Sequence, residues 1–185
     1  LALLNQQISE DAKKLTRALK GESKTQGNWG EMILESILEK SGLSKGREYF
    51  LEHELKDEDN KALFSEFSGK KMRPDAVVKY PDERNVIIDS KVSLTAFVEL
   101  VDETDHELYQ IKLNQHLASV KNHIKQLSDK AYDDYDKSLD FVMMFIPSEP
   151  AYIAAMQADP NLWNFAYDKR ILLLNPSNLI TSFVV

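Results

Sequence analysis

Two carboxylates and an amine stand close together between Arg73 and Lys91. Asp75 follows Pro74 at the mouth of the apolar run Ala76-Val77-Val78. Beyond the turn-forming Pro81-Asp82-Glu83, a second run, Val86-Ile87-Ile88, ends in Asp89-Ser90-Lys91. Delivered by adjacent strands, these groups suit metal-dependent phosphodiester hydrolysis. Asp75 and Asp89 supply hard oxygen ligands to Mg²⁺ or Mn²⁺, with the Ser90 carbonyl as a further ligand. Lys91 would orient or deprotonate the attacking water, or offset charge in the transition state. The same residues also admit a plainer reading, with Asp75 fixing a turn and Asp89 and Lys91 forming a surface ion pair.

The tripeptide itself says little, because an acid two residues before a lysine occurs five times, at Asp11, Glu22, Glu54, Asp59 and Asp89. Only the last ends a β-branched run with Pro-Asp opening the strand before it. Side chains at i and i+2 share a strand face, so Asp89 and Lys91 point the same way. Asp75 joins them only if it sits opposite residue 89 or 91, not opposite Ser90. That demands an odd-length connection such as residues 81–83, or a bulge. An even loop, with Tyr80 opposite Asn85, would turn Asp75 to the other face.

Further candidates lie elsewhere. Glu31 follows Gln26-Gly27-Asn28-Trp29-Gly30. It could reach the same metal, or form a capping box with Asn28 as N-cap. Two glycines are costly in a helix start and suit a place where the backbone approaches a substrate or another strand. His116 and His123, seven apart, share a helix face but make no metal-binding H-x-x-x-H pair, so packing or surface roles are expected. Arg73, Lys121 and Lys130 are candidate phosphate contacts, with Lys125 along the same helix. Glu149 falls at the C-terminal end of a central strand, where α/β sites gather, or is simply a helix-start carboxylate.

The elements that must position these groups follow from periodicity. Leu1, Leu4, Ile8, Ala12, Leu15 and Leu19 form a coiled-coil-like seam broken by Gly21. Residues 1–22 read as a coiled-coil helix end and 23–185 as the main domain. A helix is expected from about Asn28 to Lys40, a strand over Tyr49–Leu55, a long loop over Lys56–Lys71, and a hairpin of strands at 75–80 and 85–91. Helix covers roughly 93–130, interrupted near 102–105. Phe141–Ile146 reads as a buried central strand, with Ser148 capping the next helix. A strand at Ile171–Leu174 and a last helix after Asn175-Pro176-Ser177 complete an α/β domain, a mixed central sheet flanked by helices.

The 185 residues are 43% apolar and 29% charged, ordinary for a globular domain. The chain has no cysteine, which suits a reducing cytoplasm and excludes disulfides and thiolate metal sites. No apolar run approaches the ~20 residues of a membrane span, so no membrane contact is expected of this stretch. The chain opens on Leu1 in mid-pattern and reads as an excised fragment. Its net charge of −7 argues against a nucleic-acid partner unless bound cations offset the site carboxylates.

Taken together, Gly27-Asn28-Trp29-Gly30-Glu31, Arg73-Pro74-Asp75, Ile88-Asp89-Ser90-Lys91, His123 with Leu127-Ser128-Asp129-Lys130-Ala131-Tyr132, Phe145-Ile146-Pro147-Ser148-Glu149 and Asn175-Pro176-Ser177-Asn178-Leu179 resemble the RmuC family of DNA recombination proteins, in the same order over residues 15–185. The resemblance implies a restriction-endonuclease-like PD-(D/E)xK core, a preceding coiled coil that oligomerises, and often an N-terminal anchor in the inner membrane. It implies a nuclease acting on DNA, with Asp75 and Asp89 as the acids, Lys91 as the lysine and Glu31 as the helix glutamate. It further implies a bacterial role in limiting rearrangement at inverted repeats. The second acid here is Asp where Glu is commoner, one methylene shorter. The competing expectation is a catalytically weak DNA-binding scaffold attached to the coiled coil.

Overall fold

The computed structural model describes residues 18–20, 23–52, 74–81, 84–90, 94–135 and 141–183. The seam at 1–17, Arg73, Lys91 and the loop expected at 56–71 lie outside these.

Five strands form one sheet in sequence order: β1 (Tyr49–Leu51), β2 (Ala76–Lys79), β3 (Asn85–Asp89), β4 (Val142–Phe145) and β5 (Ile171–Leu174). The first two pairings are antiparallel and the last two parallel. The expected mixed sheet is therefore present. Every residue of β4 is buried, as a central strand covered on both faces must be.

Strand alternation divides the core. Phe50, Val77, Ile87, Val142, Met144, Ile171 and Leu173 face one way. Helices α2 (Thr95–Val101), α3 (His106–Tyr135), α4 (Glu149–Ala158) and α5 (Leu162–Asp168) cover that side. Tyr49, Leu51, Ala76, Val78, Ile88, Met143 and Phe145 face the other way, against α1 (Ser23–Lys40) and α6 (Pro176–Ser182). Phe145 is fully buried there, and a side chain of that size contributes roughly 2–3 kcal/mol by leaving water.

Local chemistry sets the ends. Helix α1 stops at Gly42, whose φ of +85° suits glycine, while Ser41 N bonds Leu38 O. Ser148 accepts from Ala151 N and Asn175 from Asn178 N, each an N-cap followed by Pro or a Glu-Pro pair. Asp105 Oδ1 accepts from Leu108 N and separates α3 from α2, at the interruption expected near 102–105.

Three expectations need correction. Helix α1 begins at Ser23, not at Asn28, so Gly27 and Gly30 are interior and Asn28 is no cap. The buried Gln26 amide explains this, since it donates to Leu19 O and accepts from Leu94 N, fastening the early turn to the body of the domain. Such tertiary bonds outweigh the ~1 kcal/mol penalty of each glycine. Helix α5 is not among the expected elements. Asp159-Pro160-Asn161 reads as a loop, yet Leu162 and Ala166 bury one face of a short helix directly behind it. Helix α3 also runs on to Tyr135 rather than ending near 130.

Candidate acidic site at the strand ends

Strands β3, β4 and β5 run parallel, so their C-terminal ends lie side by side along one edge of the sheet. The start of antiparallel β2 joins that edge. Lys79 pairs with Asn85 and Tyr80 N bonds Arg84 O, which leaves an odd connection of residues 81–83. The ladder ends at the pairing Ala76–Ile88. Asp75 N donates to Ile88 O, so Asp75 stands beside that last pair and does not continue the ladder to Asp89. The odd connection meets the condition that the site sets on the hairpin.

Asp75 and Asp89 are 4% and 5% exposed. Buried carboxylates need partners, since an unpaired charge in the interior is costly. Asp75 Oδ2 accepts from Ser90 N at 2.7 Å and Ser90 Oγ at 3.1 Å, so it clamps the end of β3. Asp89 Oδ2 lies 3.3 Å from His123 Nε2 on α3. With the proton on Nε2, the ring donates to the carboxylate.

The contact of His123 with Asp89 is one that sequence reasoning does not single out. The helix registers Val120, Ile124 and Leu127 inward, and His116 and His123 lie on that same stripe with no apolar reason to be there. That spacing is the available signal. His116 does have the expected packing role, with Nε2 2.7 Å from Ala151 O and its ring against Phe97. Its Nδ1 is buried without a hydrogen-bond partner. Burial pushes the pKa of His116 down, partly offset by the Ala151 bond.

Helix α1 passes directly over this edge. A Cβ on Gly30 would meet Pro147 Cγ at 3.2 Å and the Ser90 carbonyl at 3.8 Å. The close approach expected of these glycines holds for Gly30, whereas Gly27 faces open space. Glu31 therefore begins beside the strand ends, half-buried and outside any capping box. Among the described residues, however, no three His, Asp or Glu side chains converge as a cation-binding group.

Of the remaining described candidates, Glu149 and Lys121 are engaged by other partners. Glu149 Oε1 accepts from Ser177 N at 2.9 Å and from Ser177 Oγ, tying the start of α4 to the start of α6. Lys121 pairs with Asp159 at 2.8 Å, and this pairing holds the Asp159 carboxyl below its usual range. Lys130 is exposed. A cavity of about 480 Å³ lined by Arg47, Glu48, Lys79, Tyr80, Pro81 and Asn85 sits at the other end of the β2–β3 hairpin.

Fold and site define an α/β domain whose mixed sheet carries buried acids at the open end of its hairpin. The chain belongs to the RmuC family, whose model matches residues 1–184. It is 46% identical over 184 residues to a DNA recombination protein RmuC homolog of Neisseria meningitidis serogroup A, covering 97% of this chain and 30% of that protein. A homolog from Pseudomonas aeruginosa is 42% identical, covering 100% of this chain and 39% of its own length. DNA recombination protein RmuC of Escherichia coli K12 is 38% identical, with 98% and 37% covered. The chain thus spans about a third of the length of these relatives. No solved structure matches it.

Proposed function

We propose that this domain is a metal-dependent DNA phosphodiesterase, with a restriction-endonuclease-like core, acting within a DNA recombination protein. The observation that carries the reading is the burial of Asp75 and Asp89 at neighbouring ends of the paired strands β2 and β3. The relatives' names, DNA recombination proteins, supply the substrate class. The donor set fits Mg²⁺ or Mn²⁺: two carboxylates and the nearby Ser90 carbonyl are hard oxygens. Mg²⁺ commonly needs only one or two carboxylates, its other positions being filled by water and phosphate. A bound ion would supply Lewis-acid stabilisation of the scissile phosphate and an acidified water.

The chain's own residues do the rest. Asp75 and Asp89 would hold the ion, and the Ser90 bonds fix the Asp75 carboxylate in one orientation. His123 orients Asp89. Lys91, two residues on, orients or deprotonates the nucleophilic water. Glu31, on α1, would be the further acid. The setting that goes with this reading is cytoplasmic, on a protein oligomerised by an upstream coiled coil, limiting rearrangement at inverted repeats.

A second reading has its own support. Ser90 and His123 already engage both acids, and no three-ligand group forms among the described residues. That favours a DNA-binding scaffold without cleavage. Mn²⁺ binding and nicking of a plasmid, compared between the native protein and Asp89→Ala and Lys91→Ala, separate the two. An enzyme loses metal and cleavage with the first change and loses cleavage alone with the second. A protein that binds DNA equally with and without metal and never nicks it is the scaffold.

A further inference from the structure

Three ammonium groups surround one aromatic ring on the helical side of the sheet. Lys121, Lys125 and Lys169 place Nζ at 5.3, 5.9 and 5.3 Å from the Phe165 ring centroid. They come from separate segments: the first two from α3, one turn apart, and the third from the turn between α5 and β5. Like charges gathered at this spacing repel, and cation–π attraction to the ring offsets only part of that. One of the three is neutralised by Asp159. Lys125 and Lys169 have no carboxylate partner among the described residues.

The arrangement is held by other bonds. Ser128 Oγ donates to Lys169 O at 3.0 Å, which pins the α5–β5 turn to α3. Lys169 N donates to Ala166 O at 2.9 Å. Asp159, besides holding Lys121, accepts from Asn161 N at 2.9 Å. Two ammonium groups without an ion-pair partner among the described residues thus stand over a half-buried aromatic ring, in a chain of net charge −7. Ammonium groups held at this spacing are what a nucleic-acid backbone recognises.

We infer that Lys121, Lys125 and Lys169 around Phe165 form an anchoring site for the phosphodiester backbone of DNA, separate from the acidic strand ends. This rests on the reading of DNA as the substrate but not on cleavage. On α3, Lys121 and Lys125 lie on the side roughly opposite His123, so the patch is separate from the acids and takes no part in the reaction.

The test is fluorescence anisotropy of a labelled oligonucleotide with the full-length protein, without divalent metal, across a salt series. Each phosphate contact contributes about 0.7–0.9 to the slope of log affinity against log salt. The double variant Lys125→Gln with Lys169→Gln should lower that slope by about 1.4–1.8 and weaken binding uniformly across sequences. Lys125→Arg with Lys169→Arg should keep it, and all should unfold at the native temperature. Native-like affinity and slope in the Gln variant overturn the assignment and leave the cluster as a surface for an acidic protein. If the native protein binds no DNA, this site and the substrate class fail together. Loss of slope in a protein that never cleaves supports the site and refutes only the phosphodiesterase.

Discussion

His123 on α3 and Asp89 at the end of β3 meet side chain to side chain, with 3.3 Å between Nε2 and Oδ2. The longest helix is thereby joined to the hairpin at the carboxylate on which the proposed chemistry depends. A residue that holds a metal-binding carboxylate typically affects affinity or rate by 10–100-fold when removed. His123→Gln should lower Mn²⁺ affinity or plasmid nicking by about that factor, while Asp89→Ala abolishes both. Calorimetric titration with Mn²⁺ and a nicking assay check this. Unchanged activity in the His123 variant would leave the contact a packing feature.

Asp75 carries a structural load whatever the chemistry. Its carboxylate accepts both the N–H and the hydroxyl of Ser90 in a buried setting. Removing the acceptor loses both bonds and strands a buried N–H, which alone costs about 1–3 kcal/mol, whereas Ser90→Ala loses one hydrogen bond to a charged group, about 1.5–3 kcal/mol. Asp75→Ala should therefore lower the urea midpoint more than Ser90→Ala does. Equal effects would mean that the N–H bond carries no net stability.

The two interior glycines of α1 should respond oppositely. A methyl added at Gly27 would meet nothing within 4 Å, so Gly27→Ala should stabilise by about 0.5–1 kcal/mol. For Gly30→Ala the same gain is opposed by Pro147 Cγ at 3.2 Å, and Gly30→Val should destabilise by about 1–3 kcal/mol. Thermal unfolding of the three variants decides it.

His116 predicts an acid limb to stability. Burial holds its pKa below the ordinary histidine value, so the unfolded chain takes up the proton first. Stability is complete above about pH 6.5 and falls as pH drops below it, by no more than about 1.4 kcal/mol per pH unit. Asp159 and Glu103, whose carboxyls are held low by Lys121 and Lys112, act in the lower carboxylate range. Urea unfolding at pH 7.5 and 5.5 should show the loss, and His116→Leu should flatten it at the expense of the Ala151 bond.

Much of this domain is legible in the sequence because its signals are local. Val86-Ile87-Ile88 and Phe141–Ile146 are strands on composition, and Ser148 and Asn175 are caps on residue type, whereas the residues of the hairpin turn leave both an odd and an even connection open. What escapes depends on partners distant in sequence. Nothing near Gln26 reveals that Leu94 will bind it and so extend α1 by a turn. Nothing beside Glu149 reveals that Ser177 will take its carboxylate. His123 reads as a packing or surface residue because its partner lies 34 positions away, and helix α5 is too short for its periodicity to stand out from the turn before it.

The Glu149–Ser177 tie has an electrostatic corollary. One carboxylate serves the leading turns of two helices, α4 and α6, at adjacent strand ends. Exposed helix beginnings would otherwise present partial positive charge and attract a phosphate unaided. Here that attraction is quenched from within, so a polyanion approaching this rim is drawn only by true cations.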